Sequence, residues 1–102
     1  MLAKIYNLRF QNLNDARHAA TYISEGMGGL VGELNISGLT VLLRKEGVVQ
    51  AIARFDTQED FVRVQNKRPD VISLLQKRFP CMIEDIAAVT VYSYEREAVS
   101  TV

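Results

Sequence analysis

The spacing of apolar residues switches between a period of two and a period near 3.6 several times along this chain, and the order of the switches limits the folds open to it. Residues 2 to 10, Leu-Ala-Lys-Ile-Tyr-Asn-Leu-Arg-Phe, alternate with period two and predict a first strand with Tyr6, Leu8 and Phe10 on one face and Ile5, Asn7 and Arg9 on the other. Asn12 or Asn14 then offers an N-cap, and Ala16, Ala19, Ala20, Ile23 and Met27 follow at helical spacing. A first helix is expected over roughly 13 to 25, ending near Gly26 because that glycine and the Gly28-Gly29 pair tolerate irregular backbone.

Period two returns between Leu30 and Phe55, interrupted at Ser37-Gly38 and at Lys45-Glu46-Gly47. The second interruption separates two β-branched runs, Thr40 to Arg44 and Val48 to Phe55, and predicts a hairpin. Gly38 is open to two readings, a bulge in one long strand from 31 to 44 or a turn between two short ones. Thr57 with Asp60 three residues on has the form of a capping box with the shorter acid, so a second helix is expected directly after Phe55. Its apolar positions Phe61, Val64, Ile72, Leu75 and Phe79 stay in register across Pro69. Proline removes a backbone donor and biases the preceding residue away from helical angles, so a break is expected at 66 to 69, and Pro80 ends the element. Ile86 to Tyr94 predicts a last strand, and a polar tail at 95 to 102 is expected to fray.

Strand, helix, strand, strand, helix, strand, with no repeat or linker, is the order of a ferredoxin-like α+β domain: βαββαβ, a four-stranded antiparallel sheet with two helices on one face. One domain over 1–102 is expected. Charge excludes some partners. Twelve basic and twelve acidic side chains are interleaved and cancel, so neither the phosphate backbone of a nucleic acid nor an anionic membrane is an expected partner. The single Cys81 and single His18 cannot form an internal disulfide or a four-ligand zinc site, and no metal or cofactor is expected. No run nears the roughly 18 apolar residues of a membrane span, and Asn7 and Arg9 follow Lys4 where a signal peptide would be apolar. These features point to the cytoplasm.

The second row of each strand is the informative one. If the helices cover Tyr6, Leu8, Phe10, Val41, Leu43, Val49, Ala51, Ala53, Phe55, Ala87, Val89 and Val91, the opposite face carries Asn7, Arg9, Arg44, Gln50 and Arg54 together with Ile5, Leu42, Ile52, Ile86 and Tyr92. A face left in water alternates to polar groups more completely than this. Packing against a second copy hides the apolar part and leaves the polar groups around a cavity, so a homodimer is expected.

With the strand from Val49 to Asp56, the helix opened by Thr57-Gln-Glu-Asp-Phe-Val62, the interruption at Lys67-Arg68-Pro69 and the return strand, the chain resembles the dimeric α/β barrels. Those include antibiotic-biosynthesis-monooxygenase-type, stress-responsive-barrel and EthD-type proteins. The resemblance implies two ferredoxin-like sheets paired into a barrel, several such barrels enclosing small apolar or aromatic ligands. Some members are cofactor-independent oxygenases or haem-degrading enzymes. This chain has no tryptophan, and its histidine lies on the first helix instead of after the third strand, so neither activity carries over residue by residue.

The remaining chemistry-bearing residues have structural readings. His18 lies on the polar stripe of its helix, Cys81 has no histidine near it in sequence, and Gly26-Met-Gly-Gly29 follows a helix and lacks the Lys-Ser/Thr of a phosphate loop. Glu59-Asp60 suits a helix N-terminus, and Glu84-Asp85 reads as solvated charge before a strand. The expected function is binding of a small, largely apolar, fatty-acid-like molecule with an acidic or carbonyl head between the sheets. Arg9, Arg54 and Asn7 would hold the head, and Tyr92, Ile52 and Leu42 would contact the body. The alternatives are a structural or regulatory dimer with a filled interface, and a cofactor-independent monooxygenase or isomerase whose base is not identified.

Overall fold

The computed structural model describes residues 1–94, and the tail expected from 95 onward lies outside them. Four strands and three helices follow in the order β1 (Leu2–Arg9), α1 (Leu13–Gly28), β2 (Gly38–Arg44), β3 (Val48–Phe55), α2 (Gln58–Asn66), α3 (Asp70–Arg78) and β4 (Met82–Val89). The sheet is antiparallel with strand order β2-β3-β1-β4, which is the ferredoxin-like βαββαβ fold.

The core lies between the helices and one face of the sheet. Tyr6, Leu8 and Phe10 of the β1 segment and Val49, Ala51, Ala53 and Phe55 of β3 meet Ala16, Ala19, Ile23 and Met27 of α1, Val64 of α2, and Ile72 and Leu75 of α3. The two alanines on β3 leave room for the helices above the centre of the sheet, where larger side chains would hold them off. Helix cover thins toward the edges: Leu43 on β2 and Val89 on β4 share the covered face and are still exposed.

Helix starts follow the capping residues in the sequence. Asn12 accepts from the Asp15 amide at 2.8 Å and begins α1. Thr57 accepts from the Asp60 amide at 3.2 Å, and its hydroxyl donates to Asp60 Oδ2 at 2.7 Å. Asp60 also receives Asn35 Nδ2 at 2.7 Å and Arg63 Nη2 at 2.6 Å, so this buried carboxylate joins the loop before β2 to the start of α2. Those hydrogen bonds, from Thr57 first and then Arg63 and Asn35, hold it below the ordinary carboxylate range. The expected break at 66 to 69 separates α2 from α3, with Pro69 at the cap position of α3.

Three boundaries differ from expectation. Helix α1 runs through Gly26 to Gly28, because Gly26 is a packing residue: Val71 Cγ2 of α3 occupies the place a β-carbon there would need. Residues 29 to 37 form turns and no strand, so Gly38 is neither a bulge nor a mid-segment turn but the first residue of β2. Their apolar side chains Val31, Leu34 and Ile36 still pack on the core, which explains why they imitate a strand. Strand β4 occupies Met82–Val89 instead of 86 to 94. Its first half is fixed by polar partners on β1 and α2–α3, described below, and these make Glu84-Asp85 part of the sheet. Two described positions have positive φ: Asn35, at +54° in the turns before β2, and Gly47, at +86° in the β2–β3 turn, which lies against the carbonyl of Asn12 and accepts from the Phe10 amide at 3.0 Å.

Candidate functional site

The sheet face away from the helices is built of four rows, each crossing all four strands, as the pairing register dictates. The first is Gly38, Arg54, Ala3, Ala88. The second, Thr40, Ile52, Ile5, Ile86, is almost wholly apolar. The third, Leu42, Gln50, Asn7, Glu84, is polar across its last three members. The fourth is Arg44, Val48, Arg9, Met82. In the polar row Gln50 Nε2 donates to Asn7 Oδ1 at 2.9 Å, and Asn7 Nδ2 donates to Glu84 Oε1 at 3.2 Å. Asn7 is thereby oriented by both neighbours, with its amide donating and its carbonyl accepting.

At the fourth row the face dips into a cleft of about 260 Å³ lined by Asn7, Arg9, Arg44, Val48, Met82, Ile83 and Glu84. Arg9 and Arg44 flank Val48 there, and Arg44 also pairs with Glu46 at 2.9 Å in the exposed β2–β3 turn. Two arginines beside an amide and a single carboxylate suit an oxyanion or carbonyl oxygen, since guanidinium forks match planar acceptors.

The expected site residues are distributed unevenly. Asn7 and Arg9 line the cleft, while Leu42 lies in the third row and Ile52 in the second, neither of them lining it. Arg54 is in the first row, opposite Ala3 and six residues along β1 from Arg9, which is about 20 Å at the usual strand rise. Its guanidinium lies over Gly38 on the β2 edge, so Arg9 and Arg54 do not converge. Tyr92 lies three residues past the end of β4 and is 83% exposed, so it is not part of the strand row in which it was expected.

Sequence reasoning placed Arg44 on this face without assigning it to the site, and missed Met82 and Glu84. Extending the alternation of β4 back from Ile86 would have placed Glu84 and Met82 beside Asn7 and Arg9. It also missed a cluster on the covered face. Lys4 is 4% exposed, with Nζ donating to Gln65 Oε1 at 2.8 Å and lying 4.0 Å from Asp85 Oδ2. Asp85 accepts from Arg68 Nη2 at 3.0 Å. Tyr6, opposite Asp85 in the register, has a buried hydroxyl with no hydrogen-bond partner among the described residues. Burial above all, then the negative charge of Asp85, pushes the phenol up to about 12 against an opposing pull from Arg68. The signal for this cluster was the parity of Lys4, which shares the face of Tyr6 and Leu8.

His18 lies at an outer cleft with Tyr22, Arg78 and Phe79, where the Arg78 guanidinium stands 5.7 Å from the Tyr22 ring centroid. Burial raises the Cys81 thiol above its ordinary range, with Arg68 opposing, which is the reverse of what an activated nucleophile needs.

No protein-family model and no curated protein matches this sequence. Solved structures do match its fold. One is a dimeric ferredoxin-like protein from an uncultured marine organism, at TM-score 0.70 and 15% identity over 93% of this chain and 98% of that one. Another is a candidate antibiotic biosynthesis monooxygenase from Deinococcus radiodurans, at TM-score 0.70 and 12% identity over 96% of this chain and 100% of that one. A third is a dimeric protein of unknown function with a ferredoxin-like fold from Bacteroides fragilis, at TM-score 0.60 and 13% identity over 85% and 94% of the two chains. The chain therefore has the ferredoxin-like fold found in dimeric proteins of this kind. At these identities the likeness is one of architecture. No helix among the described residues is long and apolar enough to cross a membrane.

Proposed function

We propose that the chain acts as a homodimer whose open sheet faces meet, and that the cleft at Arg9 holds the acidic or carbonyl head of a small, largely apolar molecule. The observation that carries this reading is the row Thr40, Ile52, Ile5, Ile86, an apolar stripe across all four strands on the face without helices. A second copy is the occupant that fits it. Fold neighbours are dimeric, zero net charge opposes no self-association, and Val91, Tyr92 and Tyr94 beyond β4 are each more than three-quarters exposed. In the dimer, Asn7, Arg9 and Arg44 hold the ligand head, while Leu42 and Ile52 contact its body. Arg54 and Tyr92, the outlying members of the expected set, act at the far end of the face and from the segment after β4.

A structural dimer with a filled interface is the second reading. It draws support from Glu84, a carboxylate in the same cleft as Arg9 and Arg44 and able to pair with the arginines of a second copy. Arg9→Ala with decanoate as probe separates the two. Under the ligand reading, decanoate raises the melting temperature of the wild type, and Arg9→Ala abolishes that rise while sedimentation still reports a dimer. A decanoate response unchanged by the substitution overturns the ligand site. A wild-type monomer at micromolar concentration overturns the dimer.

A further inference from the structure

The helix side of the molecule holds a cleft of about 580 Å³ where α2 breaks into α3, a volume in the range of small-molecule sites. Proline creates it. Pro69 cannot continue the hydrogen-bond ladder of α2, so the chain leaves helical angles at Lys67, with φ −140°, and resumes them at Asp70. The apolar walls are Leu30 and Leu34 from the turns before β2, Val64 of α2, and Pro69 itself.

Charges of both signs stand among these walls, and they are divided by segment. Arg63, Lys67 and Arg68 come from α2 and the break, whereas Glu33 comes from the turns before β2 and Asp70 from the start of α3. Two of the cations are already engaged: Arg63 with Asp60 at 2.6 Å and Arg68 with Asp85 at 3.0 Å. Glu33, Lys67 and Asp70 are not. None of the three has an ion pair or a side-chain hydrogen bond among the described residues, although they line one cleft. Opposite charges that share a cleft without meeting leave room for a molecule that joins them.

We propose that this cleft binds a small zwitterion with an apolar body, of the class of the apolar α-amino acids. Glu33 and Asp70 take the ammonium, Lys67 takes the carboxylate, and the side chain lies against Leu30, Leu34 and Val64. A plain carboxylate would meet the two acids, and a plain amine would meet the lysine. One exposed ion pair contributes little by itself, so selectivity rests on satisfying both signs at once while the apolar body leaves water. The site uses no residue of the Arg9 cleft and none of the open sheet face.

Three probes share one apolar body: L-phenylalanine, 3-phenylpropionate without the ammonium, and phenethylamine without the carboxylate. In calorimetric titration of the full chain, phenylalanine is expected to bind at least tenfold more tightly than either of the others. Glu33 and Lys67 are exposed, so Glu33→Gln and Lys67→Met are expected to unfold thermally as the wild type does. Glu33→Gln should weaken phenylalanine at least threefold and 3-phenylpropionate not at all. Lys67→Met should weaken phenylalanine by a similar factor and phenethylamine not at all, a crossed pattern that general loosening of the cleft would not produce. Arg9→Ala should bind phenylalanine as the wild type does. Equal affinity for the three probes, or no phenylalanine binding at millimolar concentration, overturns the proposal. Phenylalanine binding lost in Arg9→Ala and kept in Glu33→Gln assigns the ligand to the open face and overturns it as well.

Discussion

The two faces of the sheet are built from the same strands and differ in what completes them. On the covered face, Leu8, Val49, Ala51 and Phe55 are fully buried by three helices. On the open face, Ile5, Ile52 and Ile86 line up across the strands with no helix or strand of the described residues above them. The covered face therefore holds the monomer together, while the open face is available for association. The polar groups differ in the same sense. Asn7, Gln50 and Glu84 on the open face satisfy one another in a chain, whereas Lys4 and Tyr6 on the covered face are left with unused capacity.

The largest expected difference comes from truncating neighbours on β1. Leu8→Ala opens a cavity in a core that cannot collapse freely and is expected to cost about 2–5 kcal/mol in denaturant unfolding. Ile5→Ala, three residues away and facing the other side, is expected to change monomer unfolding far less and to weaken dimer association measured by sedimentation. Equal losses in monomer unfolding would mean that the open face is as much a part of the folded core as the covered one.

Much of this division is legible in sequence because strand alternation assigns faces by parity, and parity survives an error in the strand ends. Asn7, Arg9, Leu42, Ile52 and Arg54 fall on the expected face for that reason. Parity does not report distance along the strand. Arg9 and Arg54 share a face but lie at opposite ends of it, a matter of register that depends on the length of the Lys45-Glu46-Gly47 turn and on how β3 meets β1. The start of β4 was hidden by Glu84-Asp85, since two adjacent acids resemble a loop until their partners, Asn7 on one face and Arg68 with Lys4 on the other, are in place. Tyr92 followed that error out of the sheet. Gly26 was misread because glycine marks both helix ends and close helix contacts, and only the position of Val71 distinguishes them.

Glycine substitution tests the same contrast at a smaller scale. Gly26→Ala adds a methyl where the Val71 side chain already lies, so α1 and α3 must separate; a net loss of about 1–3 kcal/mol is expected despite the better helix propensity of alanine. At Gly38 the added methyl meets the guanidinium of Arg54, the far end of a flexible side chain, with Nε 2.6 Å from the new carbon. Gly38→Ala is expected to move that side chain and to alter stability by less than Gly26→Ala does. A Gly38→Ala loss as large as that of Gly26→Ala, read by thermal unfolding, would show that the Arg54 position is itself fixed.

At neutral pH the smallest effect belongs to Tyr6, and its signature is in the alkaline limb. The folded protein holds this phenol at about 12 against 10.0 for an unperturbed tyrosine, so the native state keeps a proton that the unfolded chain releases. The contribution from that difference is fully present below pH 10 and is lost as pH rises toward 12. Unfolding free energy measured from pH 8 to 12 should fall more steeply above pH 10 for the wild type than for Tyr6→Phe, which has no proton to release. Near pH 8, Tyr6→Phe should be no less stable than the wild type, because no hydrogen bond is removed with the hydroxyl. Parallel alkaline limbs for the wild type and Tyr6→Phe would place the Tyr6 hydroxyl in water, and would remove the distinction between a polar group satisfied on the open face and one stranded beneath the helices.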